Sequence, residues 1–214
     1  MRACLLVLNP RDIRESVESI LRVRGMAQAW FTSFNERAVS DEINAFISST
    51  DYDAYCVIPD DCVVSESSVR AVLAAFESGS DPVTGWTTLD AESDFANVTI
   101  EPLIGDAPEA GAYEWWLAAD LERESAPLEC HFMGFALTLM SRELWLRFPF
   151  DCYGTSGYAS DFHLSRRLRD AGVKMTVAPA GRVAHLKERW NHSDTDPAKR
   201  LRFDRPREVT VIDP

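Results

Sequence analysis

No stretch of this chain is apolar for long enough to cross a bilayer. The longest apolar run near its start, ACLLVL at positions 3–8, spans six residues, against the roughly 20 that a helical span requires. That run also lacks the basic flank and the cleavage site of a secretory leader, so the expected location is cytoplasmic, with no integral membrane contact. Cysteine is sparse and unpaired in pattern: Cys4, Cys56, Cys62, Cys130 and Cys152 make an odd count with no CxxC pair. This argues against both a disulfide framework and a zinc knuckle, and leaves buried free thiols as the expectation. There is no internal repeat.

What is present is an ordinary globular composition, 46% apolar and 26% charged over 214 residues, enough for one domain with a sizeable core. The net charge of −12 is unevenly spread. Residues 1–150 carry 10 basic and 25 acidic side chains, whereas residues 151–214 carry 12 basic and 9 acidic. The late basic groups include Arg166, Arg167, Arg169, Arg182, Lys187 and Arg189. Such asymmetry can focus a pyrophosphate or a polyanionic acceptor onto one end of the molecule, or form a solvated tail.

The run at 3–8 is closed by Asn9-Pro10 and suits a strand buried on both faces. Ile13, Val17, Ile20 and Leu21 recur at helical spacing, with Gly25 placed for a left-handed cap. Residues 27–32 predict a second strand, and Val39, Ile43, Phe46 and Ile47 a second helix. A strand at 54–58 follows, then a helix capped by Ser65 with Val69, Val72, Leu73 and Phe76 as its buried stripe. This alternation predicts an α/β fold, a mostly parallel central sheet flanked by helices. From 81 to 128 the rhythm is lost among turn signals at Asp81-Pro82, Gly85, Gly105-Asp106, Pro108 and Gly111, so short strands and a loop-rich insert are expected. Phe135, Leu137 and Leu139 alternate as a strand, Leu164, Leu168 and Ala171 form a helix stripe ending at Gly172, and residues 173–177 alternate again before Pro179. After about Asn191 the chain is polar and charged, a tail that is either mobile or ordered by packing and ligand.

Asp60 and Asp61 directly follow an apolar strand. In an open α/β sheet, ligands bind outside the carboxyl ends of the strands, and hard oxygen donors there suit Mg2+ or Mn2+ bridging the phosphates of a nucleotide. Turns and helix caps also favour Asp. Asp161 stands at the start of a helix, whose amino terminus stabilises its charge, and a simple cap is the alternative role. Trp115 and Trp116 are adjacent; on a helix they would lie about 100° apart, so one can pack while the other offers an apolar platform to a sugar or base.

Three segments carry a resemblance. Residues 53–64, DAYCVIPDDCVV, resemble the strand and acidic motif of GT-A glycosyltransferases, in particular the large inverting family 2. Residues 157–172, GYASDFHLSRRLRDAG, resemble that family's E-D-x-x-L-x-x-R-L-x-x-x-G segment, with Ser160 in place of the Glu. Residues 131–142, HFMGFALTLMSR, are similar to the strand whose leading glycine lets the backbone approach the donor sugar. The resemblance runs in order through most of residues 3–190. It implies a GT-A, Rossmann-related fold over residues 1–190, with a nucleotide- and metal-binding half at 1–80, an acceptor half at 81–190, and a partly basic tail at 191–214.

The activity it implies is metal-dependent, inverting hexosyl or pentosyl transfer from a nucleotide-sugar, UDP-linked by default. Asp161 would be the general base. Asp60, Asp61 and His185 would hold Mn2+ or Mg2+, His192 being a substitute for His185, and which aspartate ligates is left open. Asn9, Pro10, Ser33, Asn35 and Gly134 would face the donor; Trp115, Trp116 and Arg166 would face the acceptor. Here the acidic motif is Asp-Asp rather than Asp-x-Asp, the first strand ends Asn9-Pro10-Arg11 where relatives tend to show Pro-x-Tyr-Asn, and no Asp ends the second strand. The acceptor is a saccharide, a small molecule, a protein or a modified base in viral DNA; the basic carboxyl-terminal stretch suits phosphate contacts. Two other functions compete. A nucleotidyltransferase of related fold would need a glycine-rich, basic phosphate loop that residues 9–25 do not contain, and a non-catalytic nucleotide-sugar-binding module would bind without transfer.

Overall fold

A strand made only of apolar residues must be covered on both faces, and ACLLVL is placed accordingly. In the computed structural model, which describes residues 1–9, 11–33, 36–89, 93–99, 114–151, 160–186 and 210–212, the chain runs β1 (Ala3–Leu8), α1 (Arg14–Ile20), β2 (Ala27–Phe31), α2 (Glu36–Ser49), β3 (Ala54–Pro59), β4 (Cys62–Val63), α3 (Glu66–Glu77) and β5 (Val83–Trp86). It continues through β6 (Phe95–Thr99), β7 (Trp115–Leu117), α4 (Ala118–Leu121), β8 (Leu128–Cys130), β9 (Thr138–Ser141), α5 (Arg142–Arg147), α6 (Ser160–Asp170), β10 (Met175–Arg182), β11 (Ala184–His185) and β12 (Thr210–Ile212).

Eight strands form the central sheet in the order β12-β2-β1-β3-β9-β5-β10-β8. β1 pairs in parallel with both β2 and β3, and β5 pairs in parallel with β10. β9, wedged antiparallel between β3 and β5, keeps those parallel strands pointing one way. Period-two alternation sorts the central strands between two cores. Cys4 and Leu6 of β1 and Tyr55 and Val57 of β3 enter one, with Val39, Ile43 and Ile47 of α2, Trp145 of α5, and Leu164 and Leu168 of α6. Leu5, Val7, Cys56 and Ile58 enter the other, with Ile20 of α1 and Val69, Val72 and Ala75 of α3. Leu5 and Leu6 are fully buried, each worth about 1.5–3 kcal/mol of hydrophobic stabilisation.

Local signals explain several boundaries. Ser65 Oγ accepts the Ser68 amide at 3.1 Å and caps α3. Gly172 takes φ +71° just past α6, as its sequence position predicts; Gly25 also has positive φ, +80°, but α1 already ends at Ile20 with Leu21 as its right-handed cap, so Gly25 serves the turn into β2 rather than the helix end. Leu21, expected in the α1 stripe, is 44% exposed because the helix ends at Ile20.

Other expectations are corrected. The strand predicted from Phe135 begins at Thr138, because Leu137 adopts φ +62° and breaks the extended run. β10 does not stop before Pro179 but reaches Arg182 through a register shift after Val177, a bulge of the kind that tolerates proline in a strand. Gly85 lies within β5 instead of at a turn; a Cβ there would meet the Gly181 carbonyl at 2.4 Å and that of Ala136 at 2.6 Å. Residues 210–212 of the expected tail form an antiparallel edge strand on β2. The turn signals at 105–111, together with Pro10, Asn35, His192 and Cys152, lie outside the described residues.

Candidate functional site

The parallel strands bring their carboxyl ends to one edge of the sheet. Asn9 follows β1 there, its amide donating to Phe31 O at 2.7 Å, and Asp60 follows β3, its amide donating to Leu8 O at 2.8 Å. β11 returns along the same edge to pair with β4, setting His185 opposite Cys62, while the Leu186 amide donates to Asp61 O at 2.7 Å. Two buried serines of α1 fix this corner: Ser16 Oγ donates to Cys62 O at 2.6 Å, and Ser19 Oγ accepts the Val64 amide at 3.0 Å. α6 leads through Gly172 into the start of β10, and its first turn bears Asp161. Ser165 Oγ of α6 accepts the Met133 amide at 3.1 Å, and Phe162 stacks on Phe132 with centroids 4.3 Å apart.

Charge dominates the corner after β3. Arg11 wraps Asp60: its backbone amide donates to Oδ2 at 2.6 Å, its Nε to Oδ1 at 2.9 Å and its Nη2 to Oδ1 at 2.6 Å. The same Nη2 lies 3.0 Å from Asp61 Oδ2. His185 Nε2 lies 3.3 Å from that same Asp61 oxygen. Asp60 is wholly buried and Asp61 nearly so. Burial pushes the Asp60 carboxyl up from its ordinary value, and Arg11 offsets this only in part. Burial pushes Asp61 the same way, but the His185 hydrogen bond and the Arg11 charge outweigh it and bring its pKa down to about 2. Burial disfavours the Arg11 charge, yet the two carboxylates more than compensate and raise its pKa.

Among the described residues no three His, Cys, Asp or Glu side chains form a group arranged to hold a metal ion. Two do have compatible chemistry and spacing. Ligands at right angles about 2.1 Å from one ion stand about 3.0 Å apart, close to the 3.3 Å between Asp61 Oδ2 and His185 Nε2. Mg2+ sites commonly take one or two protein carboxylates and complete their shell with water and substrate phosphate, so a pair is a workable donor set. Asp60, expected as a co-ligand, has both oxygens engaged by Arg11.

The remaining expected residues are distributed as follows. Asp161 Oδ1 accepts the Phe162 amide at 2.8 Å. Arg166 lies further along α6 and pairs with Asp170 at 3.6 Å. Trp115 and Trp116 are in a strand, so they point to opposite sides. Trp115 meets Phe132 edge-on at 5.7 Å, whereas Trp116 packs against the core. Ser33 is half-buried just past β2. Asn9 is buried at the end of β1, its Nδ2 3.4 Å from Asp12 Oδ1, with no hydrogen-bond partner for its own Oδ1 among the described residues.

Gly134 is buried, and a Cβ there would lie 2.2 Å from Asn97 Nδ2. Asn97 is itself tied to β5's end, its Oδ1 accepting the Thr87 amide at 2.9 Å. Asn97 therefore supplies a local reason for glycine. Arg11 was not anticipated, because its partners lie 49 residues away or more and nothing in the Asn-Pro-Arg run signals them.

No family model and no curated protein matches the chain. Solved structures do. The crystal structure of A197 from STIV superposes with a TM-score of 0.57 at 16% identity, covering 83% of this chain and 81% of that one. GalNAc-T7, crystallised with UDP, GalNAc and Mn2+, superposes with a TM-score of 0.50 at 10% identity, covering 86% of this chain but only 43% of that one. At these identities the likeness is one of fold, and the fold is a GT-A-like α/β architecture with a mostly parallel sheet between two helical layers. Among the described residues no helix is long and apolar enough to cross a membrane.

Proposed function

We infer that this chain is a metal-dependent glycosyltransferase that moves a sugar, with inversion, from a nucleotide-sugar donor to an acceptor hydroxyl. The observation that carries the reading is the meeting of Asp61 and His185 at the carboxyl edge of the sheet; the chain direction from α6 into the start of β10 supports Asp161 as a base facing the same edge. Likeness of fold to a structure holding UDP, GalNAc and Mn2+ supports the same reading and makes a UDP-sugar the first donor to try.

Asp61 and His185 would hold Mn2+ or Mg2+. Such an ion, when bound, supplies positive charge against which the departing diphosphate is stabilised. Asp161 would take the acceptor's hydroxyl proton as that oxygen attacks the anomeric carbon from the face opposite the leaving nucleoside diphosphate. The α6 amino terminus favours the ionised form that a base requires. Trp115 and Phe162 pack edge-on and face-on against the buried Phe132, and these two partly exposed rings would seat the acceptor's apolar ring face.

Thermal melting against a panel of nucleotide-sugars, with and without Mn2+, tests this directly. A ligand at about a hundred times its Kd adds roughly 2.7 kcal/mol. One nucleotide-sugar should raise Tm only when Mn2+ is present, and saccharide, small-molecule, protein and modified-base DNA acceptors would then be assayed with it. No shift with any donor would overturn the reading.

A further inference from the structure

Asp61 Oδ2 is claimed twice. Arg11 Nη2 lies 3.0 Å from it and His185 Nε2 lies 3.3 Å from it. A divalent ion taking Asp61 and His185 as neighbouring ligands would need that same oxygen, and would need the His185 Nε2 lone pair, with the proton on Nδ1. An ion and a guanidinium on the same oxygen are like charges drawing on one acceptor, so occupancy by the ion weakens the Arg11 contact and that contact weakens the ion's hold.

Arg11 has somewhere to remain. Its backbone amide, Nε and Nη2 all bind Asp60, which is wholly buried. Only one contact of the guanidinium, that to Asp61, stands in the ion's way. Arg11 is also the less buried member of that contact, with 21% of its side chain exposed against 12% for Asp61, so its outer end has room toward solvent.

We propose that Arg11 is a built-in counter-cation that competes with the divalent ion for Asp61. With no metal, the guanidinium spans Asp60 and Asp61 and keeps two buried carboxylates from facing each other unscreened. Metal entry moves Nη2 off Asp61 and with it off Asp60 Oδ1, while the amide and Nε stay on Asp60 as a pivot. If the glycosyltransferase reading holds, the freed end becomes a cationic donor beside the diphosphate; the exchange itself does not depend on that reading. Arg11 is a positioning residue for the metal, and Asp60 serves it rather than the ion.

The experiment is Mn2+ binding to the full chain without nucleotide, followed by the electron paramagnetic resonance of free Mn2+. Arg11→Met alone would strand Asp60, so the informative variant is the pair R11M/D60N, which removes one charge of each sign and leaves the local net charge unchanged. It should bind Mn2+ about tenfold more tightly than the unmodified protein, the effect of losing one charge-assisted hydrogen bond of about 1.4 kcal/mol. Unchanged or weaker binding would overturn the proposal, and D61N should abolish binding in either background.

A second measurement needs no variant. In the 15N spectrum of the unmodified protein, saturating Mg2+ should mobilise the Arg11 Nη groups while its Nε–H stays protected. An Arg11 signal indifferent to saturating Mg2+ would equally sink the idea. The melting experiment with nucleotide-sugars reads donor binding, so either result can fail while the other stands.

Discussion

His185 Nε2 lies 3.3 Å from Asp61 Oδ2, bridging 124 residues of sequence. The β11–β4 pairing makes this contact, since it sets His185 opposite Cys62, the residue after Asp61. If the two side chains are metal ligands, D61N should abolish Mn2+ binding and H185A should weaken it severely. Both should also erase the Mn2+-dependent part of any melting shift by nucleotide-sugar. Calorimetric titration of Mn2+ checks this, and a variant that still binds with native affinity removes its residue from the site.

Asp60 should behave differently from its neighbour. Its carboxylate accepts three hydrogen bonds from Arg11 in a fully buried setting. Breaking a buried ion pair by deleting one partner costs about 3–5 kcal/mol. D60A should therefore lower stability by that order in urea unfolding, and R11M/D60N should recover most of the loss. A D60A protein as stable as its parent would show that the pair contributes little.

Asp161 lies inside the first turn of α6, which starts at Ser160, and is not the cap that a start at Phe162 would make it; replacing it by Asn separates proton transfer from its local structural role. The amide can still accept the Phe162 N–H through its oxygen, so α6 should start normally. Transfer should fall by about 10²–10⁴, the usual contribution of a general base, while the donor-induced melting shift persists. Turnover retained at the parental rate would exclude Asp161 from proton transfer.

Much of this architecture is written locally. β1 and β3 are continuous apolar runs, which only a two-sided burial satisfies, and α3 carries its own serine cap and stripe. Gly172 marks the exit of α6 and Gly25 the turn before β2, because positive φ is costly for other residues. What could not be read depends on partners distant in sequence. Leu137 adopts positive φ without being glycine, β10 absorbs Pro179 in a bulge, and residues 210–212 become a strand only because β2 offers an edge. The site divides the same way. Asp60, Asp61 and His185 were visible as residue types at strand ends, whereas the Arg11 clamp on Asp60 exists only after β1 and β3 lie side by side.

Gly134 offers a test of what a glycine is for. An added methyl would be 2.2 Å from Asn97 Nδ2, and Asn97 cannot swing freely because its Oδ1 holds the Thr87 amide. G134A should cost about 1–3 kcal/mol as an overpacked site, and N97A should relieve part of that cost in the double variant. If Gly134 instead clears space only for a donor sugar, G134A will keep its Tm and lose the nucleotide-sugar shift.

The four cysteines of the described residues, Cys4, Cys56, Cys62 and Cys130, are all buried and free. Burial pushes the Cys4 thiol up from 9.0 to about 12 and raises the other three as well. A thiol that ionises later in the folded chain than in the unfolded one favours folding fully below pH 9. Above that the unfolded chain releases protons first, so stability falls as pH climbs from about 9 toward 12, by about 1.4 kcal/mol per thiol at pH 10. Urea melts at pH 8 and pH 10 should show the loss, and the C4A variant should show less of it once compared with its own pH 8 value. Iodoacetamide at pH 8 should leave these four thiols unmodified until urea is added, because the thiolate is the reacting form. Rapid native labelling of Cys4 would mean that the face shared by β1 and α2 is open to solvent, contrary to the packing of Cys4 with Ile43 and Ile47 in one core.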